Sequence, residues 1–275
     1  VLIIKDTVFL KQNRTFVMIV NRFMWEDAEK GVCTHSSGNH AQAVAYSAQK
    51  KRIPAYIVMP NNSPNVKLEA VRGYGANVTL CEPTLEARKT TLEEIAEKTG
   101  AAVIHPFNNP NVIAGQGTAA LELIEDIGEL DAVIAPIGGG GLMSGTCITT
   151  RNLLPKAKLF GAEPKGADDA YRSLKEGKIL PQESPNTICD GLLTSLGENT
   201  WNILKDHLNA IYTVSDDEII NAMRLIWERM KIIIEPSSAT AVAVALKSEF
   251  KALEGLEKVG IILTGGNVEL SKLPF

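Results

Sequence analysis

A regular alternation of short β-rich runs with longer helical patterns, from residue 55 onward, most restricts how this sequence can fold. The predicted strands cover residues 55–59, 77–81, 102–105, 132–137, 158–163, 210–214 and 259–264. The helical patterns cover about residues 39–51, 64–73, 84–99, 112–126, 142–154, 216–233 and 237–253. Because strands that alternate with helices connect most readily in parallel, we predict an α/β fold with mostly parallel sheets flanked by helices. A cluster of turn-forming residues at 105–111 predicts a crossover between two lobes.

Composition excludes several classes of protein. The chain has 275 residues and a formal net charge of -4, so it lacks the basic surface that holds nucleic acid or an anionic membrane. The four cysteines form no Cys-x-x-Cys pair, which argues against a zinc ribbon or a disulfide framework and suits a reducing compartment. Charged residues interrupt the apolar stretch 1–25, so we expect no transmembrane span.

Four consecutive glycines, Gly138 to Gly141, stand between a predicted buried strand and a helical pattern. Glycine lets backbone amides turn toward an anion, and a helix N-terminus adds positive potential, so this turn predicts a phosphate site. A P-loop is excluded because no Gly-Lys-Ser/Thr follows. Nicotinamide binding remains an alternative, because a glycine pattern from Gly139 reaches the small residue Ser144, and Glu163 ends the next strand where a ribose-binding acid would lie.

Two other loops present polar groups. The loop from Thr34 to His40 places Ser36, Ser37 and Asn39 before an alanine-rich helix, which suits a small carboxylate or a ring oxygen, although simple helix capping is the alternative. Thr264 follows the apolar run 259–263 and precedes two glycines, which suits one hydrogen bond to a flat ligand. Together the loops predict a phosphorylated aromatic cofactor beside an amino-acid carboxylate.

At these loops, and over about residues 31–270, the sequence resembles the fold-type II pyridoxal-phosphate enzymes, most closely the serine racemase and serine/threonine dehydratase group. The resemblance implies a tryptophan-synthase-β-like fold of two lobes, with a small domain at 25–107. The large, cofactor-binding domain would comprise 1–24 and 108–275. Since the chain begins with Val1, we interpret the N-terminal part of that domain as truncated or divergent, in a fragment or an incomplete gene model.

The resemblance assigns roles to individual residues. The cofactor phosphate would be bound by the amides of Gly138, Gly139, Gly140, Gly141 and Leu142. Asn39 would hold the ring hydroxyl, and Thr264 would face the ring nitrogen. Ser36, Ser37, His40 and Arg88 would surround the substrate, which is serine or threonine.

The resemblance also implies that Ser37 is the catalytic residue on one face of the substrate, opposite a lysine, because racemisation needs proton-transferring groups on both faces. Simple dehydratases of the group carry a small non-acidic residue at this position, so Ser37 favours a racemase that also dehydrates. Two alternatives remain open. One is a dedicated serine/threonine dehydratase, and the other is a pyridoxal-phosphate-binding homologue with impaired catalysis.

The resemblance also implies a divalent cation and partners. Glu163, the carbonyl of Ala167 and Asp169 match an oxygen-ligand site for Mg²⁺, Ca²⁺ or Mn²⁺, although a solvated turn is the alternative from sequence alone. Gln42 and Lys231 resemble positions that bind nucleotide in some racemases, so ATP is a candidate effector, or both are solvated helix residues. The resemblance further implies a homodimer in the cytoplasm.

One part of the family pattern is missing from this sequence. The lysine that forms the Schiff base with the cofactor normally lies in a recognisable motif upstream of the serine loop, and residues 1–30 contain no such motif. Lys11 lies at a plausible distance before Asn39 and is the candidate within this chain. The alternative is a lysine in a lost N-terminal segment, which would leave this chain inactive or severely impaired.

Overall fold

The structure, a computed structural model, describes residues 2–6 and 28–275. The strands within these residues are β1 (Leu2–Asp6), β2 (Val32–His35), β3 (Ala55–Pro60), β4 (Asn77–Cys81), β5 (Ala102–Val103), β6 (Ala132–Pro136), β7 (Lys158–Pro164), β8 (Ala210–Val214) and β9 (Val259–Leu263). The α-helices are α1 (Asn39–Lys51), α2 (Asn65–Gly73), α3 (Leu85–Thr99), α4 (Pro110–Ile127), α5 (Gly141–Leu153), α6 (Asp169–Glu176), α7 (Glu198–His207), α8 (Asp216–Met230), α9 (Pro236–Leu246) and α10 (Ser248–Lys251).

The chain forms two compact units, each built around one sheet. Among the described residues, the large unit contains 2–6, 116–266 and 274–275, and the small unit contains 28–115 and 267–273. The strand order is β1-β9-β6-β7-β8 in the large unit and β4-β3-β2-β5 in the small unit. Every strand pair in both sheets is parallel, which confirms the predicted fold class.

Parallel pairing decides where the loops of the large unit meet. Strand β6 lies between β9 and β7, with Ile134 opposite Ile261 on one side and Pro136 opposite Ala162 on the other. The carboxyl ends of these three strands therefore lie at one edge of the sheet, which is where ligands bind in open α/β folds. This edge carries the four glycines, Thr264 and the loop after Pro164.

Each unit has its own hydrophobic core. In the large unit, β6 and β9 are completely buried, and α9, buried from Ser237 to Ala245, packs against them. In the small unit the alanine-rich face of α1 packs with Ile57 and Met59 of β3, because small side chains let the helix approach the sheet closely.

Every strand and helix predicted from the sequence is present, with shifted ends. Strands β1 and β2 were not predicted; β2 is short and includes the polar Thr34. Helices α6 and α7 were also missed, because their sequences are mostly polar and bury only a few side chains. The pattern predicted as one helix over 237–253 is two helices, separated at Lys247, where the backbone is extended.

The described residues include no helix with both the length and the apolar composition needed to cross a bilayer. Cys33, Cys81, Cys147 and Cys189 are free thiols, and Cys33, Cys147 and Cys189 are buried.

Candidate functional site

The four glycines form a tight turn between β6 and α5. Gly138 to Gly141 are buried, and Gly140 precedes α5 with φ +86°, a left-handed conformation that favours glycine. Among the described residues, none accepts a hydrogen bond from the backbone amides of Gly138 to Leu142. The first amides of a helix have no acceptor within the helix, so the turn presents a buried set of free donors. Such a set fits a phosphate group.

Neighbouring residues leave little space for a side chain at Gly138 or Gly140. A Cβ on Gly140 would lie 2.9 Å from Thr200 Oγ1 and 3.0 Å from Leu196 Cδ2. A Cβ on Gly138 would lie 3.1 Å from the Cα of Leu192. Sequence reasoning did not identify these three neighbours, because nothing in residues 192–200 marks them as close to the glycines.

Thr264 lies where β9 ends, and its surroundings are tied together by hydrogen bonds. Its amide donates to Ser238 Oγ at 2.9 Å, and the amide of Glu235, just before α9, donates to the carbonyl of Gly265 at 2.8 Å. These bonds join the end of β9 to the start of α9. The Thr264 residue is thereby held at the same sheet edge as the glycine turn.

Two buried carboxylates follow β7. Glu163 is fully buried and accepts hydrogen bonds from the amides of Ala170 (3.1 Å) and Tyr171 (2.7 Å) at the start of α6. Asp169 is also buried; its Oδ2 accepts from the amide of Leu196 at 2.9 Å, whereas its Oδ1 has no partner. An orphaned, buried carboxylate oxygen fits a cation ligand.

The pKa values of both acids reflect this burial. Burial, together with the nearby charge of Asp169, raises the pKa of Glu163 well above its ordinary value. Burial raises the pKa of Asp169 to about 6. Within the described part of the chain, no group of three His, Cys, Asp or Glu side chains could hold a metal ion. A cation here would therefore need the carbonyl of Ala167 or water as a further ligand.

In the small unit, the serine loop joins β2 to α1. Gly38 precedes α1 at the N-cap, and no side chain caps the helix, so the interpretation of Ser37 or Asn39 as its cap is wrong. Ser36 Oγ accepts from the amide of Gly38 at 3.3 Å, and Asn39 Oδ1 accepts from Asn267 Nδ2. Ser37 has no hydrogen-bond partner among the described residues. Its hydroxyl is available for another role.

His40 is held by a buried threonine. Thr34 Oγ1 donates to the carbonyl of Ile104 at 2.6 Å, and His40 Nε2 lies 3.2 Å from Thr34 Oγ1 and 3.4 Å from the same carbonyl. Both neighbours accept, so Nε2 carries the proton. Burial lowers the pKa of His40 to about 4, and the ring is neutral at physiological pH.

Two further histidines of the small unit, His35 and His105, contact each other. The ring centroids of His35 and His105 are 6.2 Å apart in an edge-to-face arrangement. Burial, followed by the charges of His105 and Arg88, lowers the pKa of His35 to about 4. Arg88, which contributes to this shift, has a buried Nε without a hydrogen-bond partner.

The remaining predicted residues are more dispersed. Gln42 is buried on α1 and its Nε2 has no partner, whereas Lys231 ends α8 with its Nζ donating to the carbonyl of Glu228. Lys11 lies outside the described residues. Its assignment stays a prediction.

Comparison with known proteins identifies the kind of protein that carries these loops. The sequence model of the family described as "Pyridoxal-phosphate dependent enzyme" matches residues 11–265. A serine racemase from Dictyostelium discoideum is 54% identical over 250 residues, which cover 90% of this chain and 77% of that protein. A β-hydroxyaspartate dehydratase from Paracoccus denitrificans is 50% identical over 248 residues, covering 90% and 78%.

Solved structures agree with the sequence matches. The structure of maize serine racemase has a TM-score of 0.94 at 40% identity and covers 99% of this chain and 85% of its own. That of threonine deaminase isoform 2 from Solanum lycopersicum has a TM-score of 0.91 at 34% identity, covering 99% and 81%. The alternative that the glycine turn binds a nicotinamide cofactor is therefore wrong, because the turn lies within the residues that match a family of pyridoxal-phosphate dependent enzymes.

Proposed function

The chain belongs to the family of pyridoxal-phosphate dependent enzymes, and on that premise we propose that it is a serine racemase that also dehydrates serine and threonine. The observation that carries the proposal is the serine loop. Ser37 neither caps α1 nor bonds to another described residue, so its hydroxyl is free to transfer a proton. The relatives named serine racemase support the proposed activity.

The cofactor residues fit a phosphorylated pyridine ring. The amides from Gly138 to Leu142 would bind the phosphate, because no described residue accepts a hydrogen bond from them and the four glycines are buried. The Thr264 hydroxyl would face the ring nitrogen as an uncharged partner, and Asn39 would hold the ring hydroxyl. When bound, pyridoxal phosphate acts as an electron sink that makes the α-hydrogen of an amino acid acidic.

The other site residues would bind the substrate carboxylate and transfer protons. Ser36 would hydrogen-bond the substrate carboxylate, and the cationic Arg88 would attract it. His40 would act as a hydrogen-bond partner rather than as an acid, because its pKa of about 4 keeps it neutral. Ser37 would move a proton on one face of the α-carbon, and a lysine would serve the other face. Lys11 remains the candidate for that lysine.

A two-product assay tests the proposal. L-serine and pyridoxal phosphate are added to the protein, D-serine is measured by chiral chromatography, and pyruvate by reduction to lactate. We expect both products. Pyruvate alone would favour a dedicated dehydratase, and cofactor binding with neither product would favour a pyridoxal-phosphate-binding homologue. β-Hydroxyaspartate belongs in the same assay, since one close relative is named as a dehydratase of that compound.

We also propose that Glu163, Asp169 and the carbonyl of Ala167 bind Mg²⁺, Ca²⁺ or Mn²⁺. The support is the unpartnered Oδ1 of Asp169 and the repulsion between two buried acids, which a cation would relieve. Carboxylate and carbonyl oxygens are the ligands these hard cations prefer.

Saturating Mg²⁺, Ca²⁺ or Mn²⁺ should raise the Tm of the wild-type protein by about 5 °C, because a ligand bound only by the folded state stabilises it. Asp169→Asn should remove this response. Asp168→Asn is the matched control, since Asp168 pairs with Arg172 at 2.8 Å and lies outside the proposed ligand set. Differential scanning calorimetry measures all three proteins, and a full metal response in Asp169→Asn would contradict the assignment.

Three further properties complete the proposal. We propose ATP as an effector that involves Gln42 and Lys231, with the buried, unpartnered Nε2 of Gln42 as support. A homodimer is proposed from the resemblance to the racemase group. A cytoplasmic location is proposed because all four cysteines are unpaired thiols, which suit a reducing compartment.

A further inference from the structure

Thr200 is a fully buried residue in the first turn of α7, in the large unit, with no role in the function proposed above. Its Oγ1 lies 2.8 Å from the carbonyl oxygen of Gly139 and 2.9 Å from that of Gly197, and it accepts a hydrogen bond from the amide of Gly197 at 3.0 Å. The contact with Gly139 joins residues 61 positions apart in the chain. It therefore connects α7 directly to the glycine turn.

A threonine hydroxyl has one proton, so its two acceptors compete for it. The carbonyl of Gly197 already accepts from the amide of Trp201 at 2.8 Å. The carbonyl of Gly139 has no other donor among the described residues, and it lies in a buried turn where an unpaired carbonyl is costly. The hydroxyl proton of Thr200 is therefore best placed on Gly139.

This bond has a consequence for the next amide. The structure contains no cis peptide among its described residues, so the carbonyl of Gly139 and the N–H of Gly140 point in opposite directions from one planar group. With the carbonyl held toward Thr200, the N–H of Gly140 points away from α7. That amide is one of the free donors of the turn.

The packing of Thr200 also restricts the orientation of the Gly139–Gly140 peptide. Its Cβ and Oγ1 both lie 2.9 Å from the position that a Cβ on Gly140 would occupy. The peptide between Gly139 and Gly140 is thus bonded on its carbonyl and confined at its Cα. A flip of this peptide would break the hydrogen bond to Thr200.

We propose that Thr200 is a positioning residue that orients the Gly139–Gly140 peptide so that the Gly140 amide is preset to bind the cofactor phosphate. The inference rests on the proposed cofactor role of the glycine turn. It assigns to the α7 threonine a part in phosphate affinity, without contact between its own side chain and the phosphate.

Binding of two ligands, one with and one without a phosphate group, distinguishes this positioning role from a general effect on folding. Pyridoxal phosphate carries the phosphate, and pyridoxal lacks it, so the ratio of their dissociation constants reports on the glycine turn alone. Thr200→Val removes the hydroxyl and keeps the shape, and we expect about tenfold weaker binding of pyridoxal phosphate with unchanged binding of pyridoxal. Thr200→Ser retains the hydroxyl and should restore the wild-type ratio.

Thr150→Val is the matched control, because Thr150 is a fully buried threonine of α5 whose hydroxyl has no partner. It should keep the wild-type ratio. Affinities are measured by fluorescence titration, with ³¹P NMR of the bound phosphate as a second readout. If Thr200→Val does not unfold cooperatively, Thr200→Cys is measured instead. Because a thiol is a weaker donor than a hydroxyl, this variant should also bind pyridoxal phosphate more weakly, by a smaller factor.

The outcomes distinguish the positioning role of Thr200 from phosphate binding by the glycine turn. A wild-type ratio in Thr200→Val, or equal weakening of both ligands, would overturn the positioning role while leaving the glycine turn as the phosphate site. A wild-type protein that does not prefer pyridoxal phosphate over pyridoxal would overturn the phosphate site itself, and the positioning role with it.

Discussion

Replacement of Ser37 by alanine should reduce the formation of D-serine by roughly 10²–10⁴-fold while pyruvate formation stays within a few-fold of the wild-type rate, since a positioned proton donor contributes about that factor. Racemisation removes a proton on one face and returns it on the other, so it needs Ser37 and a second group. Elimination of water needs proton removal on one face only. The substitution therefore separates the two activities.

In the structure, Ser37→Ala removes a hydroxyl without removing a hydrogen bond to another described residue. Ser37 makes no hydrogen bond to another described residue, and Gly38 occupies the N-cap of α1, so loss of the hydroxyl should leave the helix intact. Ser47→Ala is the matched control, because it removes a buried, unpartnered hydroxyl from α1, the helix that follows the serine loop. Chiral chromatography and a coupled pyruvate assay follow both products. Equal loss of D-serine and pyruvate in Ser37→Ala would refute the assigned role.

Gly140→Ala should abolish saturable binding of pyridoxal phosphate. The added methyl group would lie 2.9 Å from Thr200 Oγ1 and 3.0 Å from Leu196 Cδ2, and relief of these contacts must displace the turn that presents the amides. The residue also has φ +86°, and a left-handed conformation costs an L-residue about 1–2 kcal/mol. The expected result combines a loss of stability with a loss of the phosphate site.

Gly128→Ala separates these two effects. Gly128 has φ +81°, close to that of Gly140, but a Cβ there would meet nothing within 4 Å. The control should lose about 1–2 kcal/mol of unfolding free energy from the backbone conformation and bind the cofactor normally. Urea unfolding and absorbance titration measure the two quantities. Wild-type affinity in Gly140→Ala would show that the glycine turn is not the phosphate site.

The pattern of strands and helices was predictable because it depends on the types of residues that lie close together in the sequence. Apolar runs such as 132–137 and 259–264 indicate buried strands wherever they occur, and the alternation with helices predicts parallel pairing. The four glycines predicted an anion site for the same reason, since the freedom of glycine backbone is a local property. The serine loop was recognised from the hydroxyl and amide groups that precede α1.

Weak local signals explain the elements that were missed. Strand β2 places the polar Thr34 in a fully buried position, which is possible because its hydroxyl bonds to the carbonyl of Ile104, 70 residues away. Helix α7 has few apolar residues, and its buried Thr200 is polar. In both cases a distant partner satisfies the polar group, and a pattern of neighbours in sequence cannot reveal that partner.

The sequence by itself determined that this chain builds parallel sheets with a glycine turn, a serine loop and a threonine at the ends of strands, because propensity and hydrophobic periodicity act over a few residues. Only the tertiary structure decided that Thr200 bonds to Gly139, that Leu196 donates to Asp169, and that His35 lies beside His105. These contacts join distant segments. They arise from packing of the completed sheets and helices, which sets the direction of each donor and the burial of each acid.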